Sequence, residues 1–192
     1  MQITIGIRAG DRAQVAALYW DAFGEKLGMM MGPKDRALIY IADVLQSDHG
    51  ICAYDDDGQL LGVVGFKTHF GTLVGGNFAD LRRVYGWAGA AFRAAMMAAL
   101  IRETDNERFL IDGIFVAPHA RSCGVGTALL DAIAAEAKAR GYRQVRLDVI
   151  DTNTRARALY LQQGFKDLHT QKMGLWRHVF GFRASTTMVR DV

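Results

Sequence analysis

Ile3-Thr4-Ile5-Gly6-Ile7-Arg8 alternates apolar with polar or small positions, the period of a half-buried strand, and predicts one over 3–8. The period changes at Asp11, a residue type that favours helix N-caps. Val15, Leu18, Tyr19 and Ala22 then recur at helical spacing up to Gly24. Met29-Met30-Met31-Gly32 is expected to be a loop, with Pro33 in the first turn of a second helix that ends near Leu45. Two apolar runs, 51–54 and 60–66, flank the turn-forming Asp55-Asp56-Asp57-Gly58 and predict a hairpin. Residues 71–80 are glycine-rich. A helix is expected over 88–102, apolar around most of its circumference, so it must be covered by its own domain or by a partner.

The second half is more regular. Residues 109–116 form a near-continuous apolar run, as in a strand covered on both faces, interrupted by Asp112 and Gly113. After a loop at 118–123, Gly124 and Gly126 open a helix whose inner face carries Leu129, Leu130, Ile133, Ala134 and Ala137. Gly141 ends it. A strand over 144–150, a short helix over 152–163 stopped by Gly164, a strand from Phe165 and a closing strand over 186–189 complete the pattern. No repeat or linker interrupts it. The expectation is one α/β domain over 1–192.

Composition narrows the function. Hydrophobic residues make up 51% of the 192 positions and charged residues 22%, ordinary for a packed domain. A net charge of +3 suits an anionic small ligand, but no dense cationic stripe invites a nucleic acid. No secretory pattern opens the chain and no apolar run approaches the roughly 20 residues of a membrane span. Cys52 and Cys123 cannot build a disulfide framework. The expected setting is therefore cytoplasmic, without membrane or nucleic-acid partner. Metal-ligand spacing and a nucleophile-elbow motif are both missing, so neither a metal site nor a serine hydrolase is expected.

The candidate chemistry begins at Arg121-Ser122-Cys123-Gly124-Val125-Gly126-Thr127. Glycine lets backbone approach a ligand closely, and the first N–H groups of a helix lack internal acceptors, so a strand–loop–helix junction of this kind suits a phosphate. No Lys-Ser or Lys-Thr follows Gly126, and Leu129 stands where a dinucleotide fingerprint needs a third glycine. A coenzyme A pyrophosphate loop and a simple tight turn into a helix remain. Cys123 at a helix N-terminus is either an acidified thiol or a small residue filling space beneath the loop. Asp112, a carboxylate within an apolar strand, is expected to have a raised pKa, and Asp148 occupies a comparable place. Either is a candidate base or a hydrogen-bonded structural group. Asp80 is a weaker candidate to face an amine.

The R-x-x-G-x-G loop at 121–126, followed by N-x-x-A-x-x-L-Y-x-x-x-G-F at 153–165, resembles the Gcn5-related N-acetyltransferase (GNAT) family. The resemblance is strongest over 110–168, plausible for 3–66 and weak across 69–107, where it implies a helical insertion between the third and fourth strands. It implies a mixed, mostly antiparallel central sheet with helices on both faces, whose fourth and fifth strands splay to admit acetyl-CoA. On this likeness Ile114 and Val116 would pair with pantetheine, and Ser122, Cys123, Gly124, Val125, Gly126 and Thr127 would hold the pyrophosphate beside Arg121. Asn153 would bind pantetheine, and Tyr160 would protonate the leaving thiolate. Asp112 is the candidate base, with a small-molecule primary amine as acceptor. Rival readings are a protein N-terminal or lysine acetyltransferase, a noncatalytic acyl-CoA sensor, and an interaction protein that dimerises through its apolar helix. The glycine-rich segment and helix at 71–102, and residues 173–183 with Trp176, Phe180 and Phe182, are expected to border the acceptor.

Overall fold

The computed structural model describes residues 1–100, 108–174 and 181–192. Strand β1 (Gln2–Ile5) is shorter than the alternation suggests. Gly6 takes φ +95° and turns the chain out of the sheet, which sends Ile7 into the core. Asp11 precedes α1 (Arg12–Met31) without capping it: its carboxylate accepts the Tyr54 hydroxyl at 2.7 Å. The helix also runs through Met29-Met30-Met31, where a loop was expected. An interior glycine such as Gly24 costs only about 1 kcal/mol, and burying Met30 and Met31 outweighs that. Gly32 ends the helix by donating its N–H to the Gly28 carbonyl.

Helix α2 (Lys34–Val44) follows Pro33 and buries Ala37, Tyr40, Ile41 and Val44. Strands β2 (Gly50–Tyr54) and β3 (Leu60–Lys67) form the expected hairpin. Asp55 closes its turn by accepting the N–H groups of Asp57 and Gln59, while Gly58 supplies φ +79°.

Helix α3 (Phe78–Leu100) begins well before the expected position 88, because Asn77 and Asp80 cap it. The Asn77 side chain accepts from the Ala79 N–H, and the Asp80 carboxylate accepts from the Asn77 N–H. A kink at Gly86 (φ +70°, ψ 177°) divides it. Leu81, Tyr85 and Ala90 are buried, but Trp87 and Phe92 are exposed, so its apolar surface is only partly covered. Arg93 fastens the second half to the end of α1. It donates to the Gly32 carbonyl at 2.5 Å and stacks over Tyr85, centroid distance 3.8 Å. Residues 101–102 of the expected helix lie outside the described residues. No helix among the described residues is long and apolar enough to cross a membrane.

The remaining elements are β4 (Phe109–Val116), α4 (Val125–Ala139), β5 (Gln144–Ile150), α5 (Thr154–Gln162), β6 (Lys166–Lys172) and β7 (Ala184–Asp191). The seven strands form one sheet in the order β1-β2-β3-β4-β5-β7-β6. Its pairs are antiparallel except β4 with β5. The last strand therefore inserts between β5 and β6 and leaves β6 at the edge. Helices cover both faces. A Cβ on Gly62 would touch Val125 of α4, whereas one on Gly113 would strike Phe23 of α1.

Two features position the site. β4 and β5 pair only at Phe109–Val145 and Leu110–Arg146, then part. On its other side β4 stays paired with β3, with a register shift that leaves Asp112 as the extra residue of a bulge between Ile111 and Gly113. A bulge of this kind re-aims the side chain it carries.

Candidate active site

The parting of β4 and β5 opens a cleft of about 670 Å³. One wall is Ile114–Val116 at the end of β4, another the start of α4, and the third α5 with Asn153, Leu159 and Tyr160. Leu18, Asp21 and Ala22 of α1 complete it, a contribution no motif announced.

The α4 end of the cleft is rich in main-chain donors. Ser122 has φ +64° and Gly124 φ +79°, and left-handed residues so close together turn successive N–H groups toward one concavity. Val125, Gly126 and Thr127 are the first residues of α4, so their N–H groups lack helical acceptors and the helix dipole adds positive potential. Gly126 is required for packing as well: a Cβ there would lie 3.0 Å from Leu159. Arg155 donates to the Ser122 hydroxyl at 2.9 Å, which braces the loop against α5. Arg121 donates to the Val116 carbonyl at 3.3 Å. Two guanidiniums thus flank the donor cluster, an arrangement suited to a doubly charged phosphate group.

Asn153 is the N-cap of α5, its side-chain oxygen accepting from the Ala156 N–H at 3.2 Å. Capping occupies only the oxygen and leaves the amide donors for a ligand in the cleft. Tyr160 is buried, with its ring 5.9 Å from that of Phe165. Burial pushes its phenol up to about 12, so it keeps its proton throughout the physiological range.

Ile114, Val116, Arg121, Ser122, Gly124, Gly126, Thr127, Asn153 and Tyr160 all line this one cleft. Val125 does not; its side chain is buried beneath the loop. Cys123 is exposed, its thiol 3.6 Å from the Arg121 carbonyl, so it fills no space beneath the loop. The left-handed residues on either side turn it outward.

Asp112 stands apart from the cleft lining, at the bulge on the far side of Gly113. Thr72 donates to it at 2.5 Å. Although one side is open to solvent, protein crowds the rest, and this desolvation raises its pKa above the usual carboxylate range. The Thr72 hydroxyl, Lys67, the Leu73 N–H and His49 pull the other way. Tyr19 is nearby and packs against Phe23 and Phe115 at 4.9 and 5.8 Å. Its phenol is also raised, first by burial and then by the Asp112 charge.

The other acidic candidates are engaged elsewhere. Asp148 accepts from the Thr187 hydroxyl on β7 and lies 3.5 Å from Arg146. Asp80 caps α3 and lies 3.5 Å from Arg83. Of the expected second acceptor wall, Trp176 and Phe180 lie outside the described residues.

Residues 12–165 match the family described as Acetyltransferase (GNAT) family. The chain belongs to that family. Among solved structures, this acetyltransferase is similar to an N-acetyltransferase from Staphylococcus aureus Mu50, at 15% identity and TM-score 0.68, covering 99% of this chain and 100% of the other. It is similar to a ribosomal-protein-alanine N-acetyltransferase from Brucella melitensis, at 18% identity and TM-score 0.61, covering all of both chains. A phosphinothricin acetyltransferase from Sinorhizobium meliloti, in complex with AcCoA, matches at 15% identity and TM-score 0.61, covering 100% of this chain and 88% of the other. At these identities the likeness speaks for the fold.

Proposed function

We propose that this GNAT protein transfers an acetyl group from acetyl-CoA to the primary amine of a small molecule. The observation that carries this reading is the parting of β4 from β5 after two residue pairs, with a cluster of main-chain donors at the end of the gap. Among the described residues, the β4 edge that faces the gap has no strand partner beyond Leu110, which suits the two amides of a pantetheine arm through strand-like pairing. The donors at 122–127 and the guanidiniums of Arg121 and Arg155 suit its pyrophosphate. Acetyl-CoA supplies an activated thioester; the chain must orient it, receive the amine proton and return a proton to sulfur.

Asp112 is the base in this reading. Its raised pKa makes it a better proton acceptor than an ordinary carboxylate, and the bulge that re-aims its side chain would turn it toward the acceptor. A main-chain N–H near Val116 polarises the carbonyl. Tyr160 holds its phenolic proton for the departing sulfur. As the new C–N bond forms and the C–S bond breaks, the amine proton goes to Asp112 and the Tyr160 proton to the thiolate; solvent then restores both groups. Tyr19 and Phe23 of α1, packed on each other and on Phe115 beside Gly113, would wall the acceptor side. The segment 71–76 lies over Gln46 and Asp112 and narrows the approach, which favours a compact amine over a folded polypeptide.

Calorimetry with coenzyme A, followed by thiol release from acetyl-CoA across polyamines, aminoglycosides, amino acids and peptides, tests this function. Saturable binding and turnover with a small amine are expected. Absence of binding at millimolar coenzyme A removes the proposal, and turnover confined to peptides moves the acceptor class to proteins. Within the loop, Gly124→Val forces a β-branched residue to φ +79°, at a cost of about 1–3 kcal/mol. The free loop relaxes out of that turn and must return to it on binding, so coenzyme A affinity should fall about 5- to 140-fold, since 1.4 kcal/mol is one decade. Undiminished affinity in the same calorimeter would move the anion site elsewhere.

A further inference from the structure

The segment between β3 and α3 carries no motif, yet it is tied down at almost every residue. Thr72 donates its N–H to the Gln46 side-chain oxygen at 3.1 Å, and the Gln46 N–H returns a bond to the Leu73 carbonyl at 2.9 Å. Val74 bridges to Leu45, and the Gly75 N–H reaches the Val44 carbonyl at 3.2 Å. A Cβ on Gly71 or Gly75 would overlap the Gln46 carboxamide, so the glycines let the chain fold directly onto that side chain. At the start of the segment, the Thr68 hydroxyl is 3.0 Å from His49 Nε2, whose other ring nitrogen is 2.9 Å from Asp48. The product of this lacing is one fixed hydroxyl. Thr72 is held through its backbone by Gln46 and donates its Oγ1 hydrogen to Asp112 Oδ2 at 2.5 Å.

We propose that Thr72, seated by Gln46, is a positioning residue that aims the Asp112 carboxylate at the acceptor amine. The inference rests on the reading of Asp112 as the base. A bulge gives Asp112 direction but not rotational restraint, and the Thr72 hydroxyl supplies it. Thr72 engages Oδ2 and the Leu73 N–H adds a second donor, so the carboxylate is held in one orientation while it faces the amine. A donor hydrogen bond to a carboxylate also favours its charged form, which opposes the desolvation around Asp112. The other groups facing this carboxyl are Tyr19 on α1, Lys67 on β3, His49 in the turn Ser47–His49 and the Leu73 N–H; none is altered in the test.

The test is kcat/KM against pH for the wild type, Thr72→Val, Thr72→Ser, Gln46→Ala and Asp112→Asn, together with an NMR titration of the Asp112 carboxyl in the ligand-free protein. Loss of a hydrogen bond to a charged group should move the acid limb of Thr72→Val to higher pH by about one unit, and the carboxyl titration with it. Thr72→Ser should restore both, and Gln46→Ala should move both in the same direction as Thr72→Val. Coenzyme A affinity of Thr72→Val should stay near wild type, and its melting temperature at neutral pH should fall by no more than the few degrees that a one-unit pKa shift entails, which separates positioning from unfolding. If Asp112→Asn abolishes the acid limb while Thr72→Val moves neither readout, the inference falls and the base reading stands. If Asp112→Asn keeps the wild-type limb, the base reading fails and the inference fails with it.

Discussion

Tyr160→Phe should lower kcat by about 10²- to 10⁴-fold, the usual worth of a positioned acid, while coenzyme A affinity stays within a factor of a few. Phenylalanine retains the ring that packs on Phe165 and loses only the hydroxyl, so fold and cleft should persist. The group acts as its neutral form, and burial holds that form up to about pH 12. An alkaline limb in the wild-type profile at ordinary assay pH should therefore belong to another group. Steady-state kinetics and calorimetry on the same preparation check both statements. Unchanged turnover would remove Tyr160 from the chemistry and leave it as a residue that packs α5 onto Phe165, just before β6.

The second large effect is expected at Asp112. Asp112→Asn should cost about 10²-fold or more in kcat/KM near neutral pH and erase the acid limb, because the amide cannot take the amine proton. The wild-type limb should lie above the ordinary carboxylate range, since the folded protein raises this pKa. Activity then falls as the pH drops through that raised value. Stability has the opposite dependence. A carboxyl whose folded pKa exceeds its unfolded value adds no cost at low pH, and destabilises the fold as pH rises through the window between the two. The amide lacks this destabilising contribution and can still accept from Thr72 and the Leu73 N–H. Asp112→Asn should therefore melt no lower than wild type at pH 7. A matching drop in melting temperature and activity would indicate that the carboxylate is structural.

Local rules made the second half of the chain readable. The apolar run before Pro118, the glycines at 124 and 126, and the short helix stopped by Gly164 each state their geometry within a few residues, and the cleft forms where their elements meet, although Asn153 caps that helix where its start was expected at 152. The same rules missed what depends on distant partners. Nothing near Met29 shows that Met30 and Met31 will be buried, so the helix looks finished at Gly24. Strand alternation suggested the half-buried role of residues 3–8 but not that Gly6 would turn the chain away. Thr72 is a lone polar residue among glycines, and only the fold brings it from 40 positions away to Asp112. The bulge is equally silent, because a register shift belongs to the pair β3–β4 and not to either strand alone. Arg155 is the intermediate case: it falls inside a recognisable motif, but its contact with Ser122 is a tertiary fact.

The single parallel seam has a mechanical consequence. Within the sheet only two residue pairs join the panels β1-β2-β3-β4 and β5-β7-β6, with α4 packed against both, and each panel presents a raw edge to the gap. Bare strand edges invite stray pairing with other chains. A ligand lying along both edges would cover them and weld the panels into one cooperative unit. Melting should then rise with the logarithm of ligand concentration, so cellular supply of the acyl donor also sets how firmly the molecule holds together.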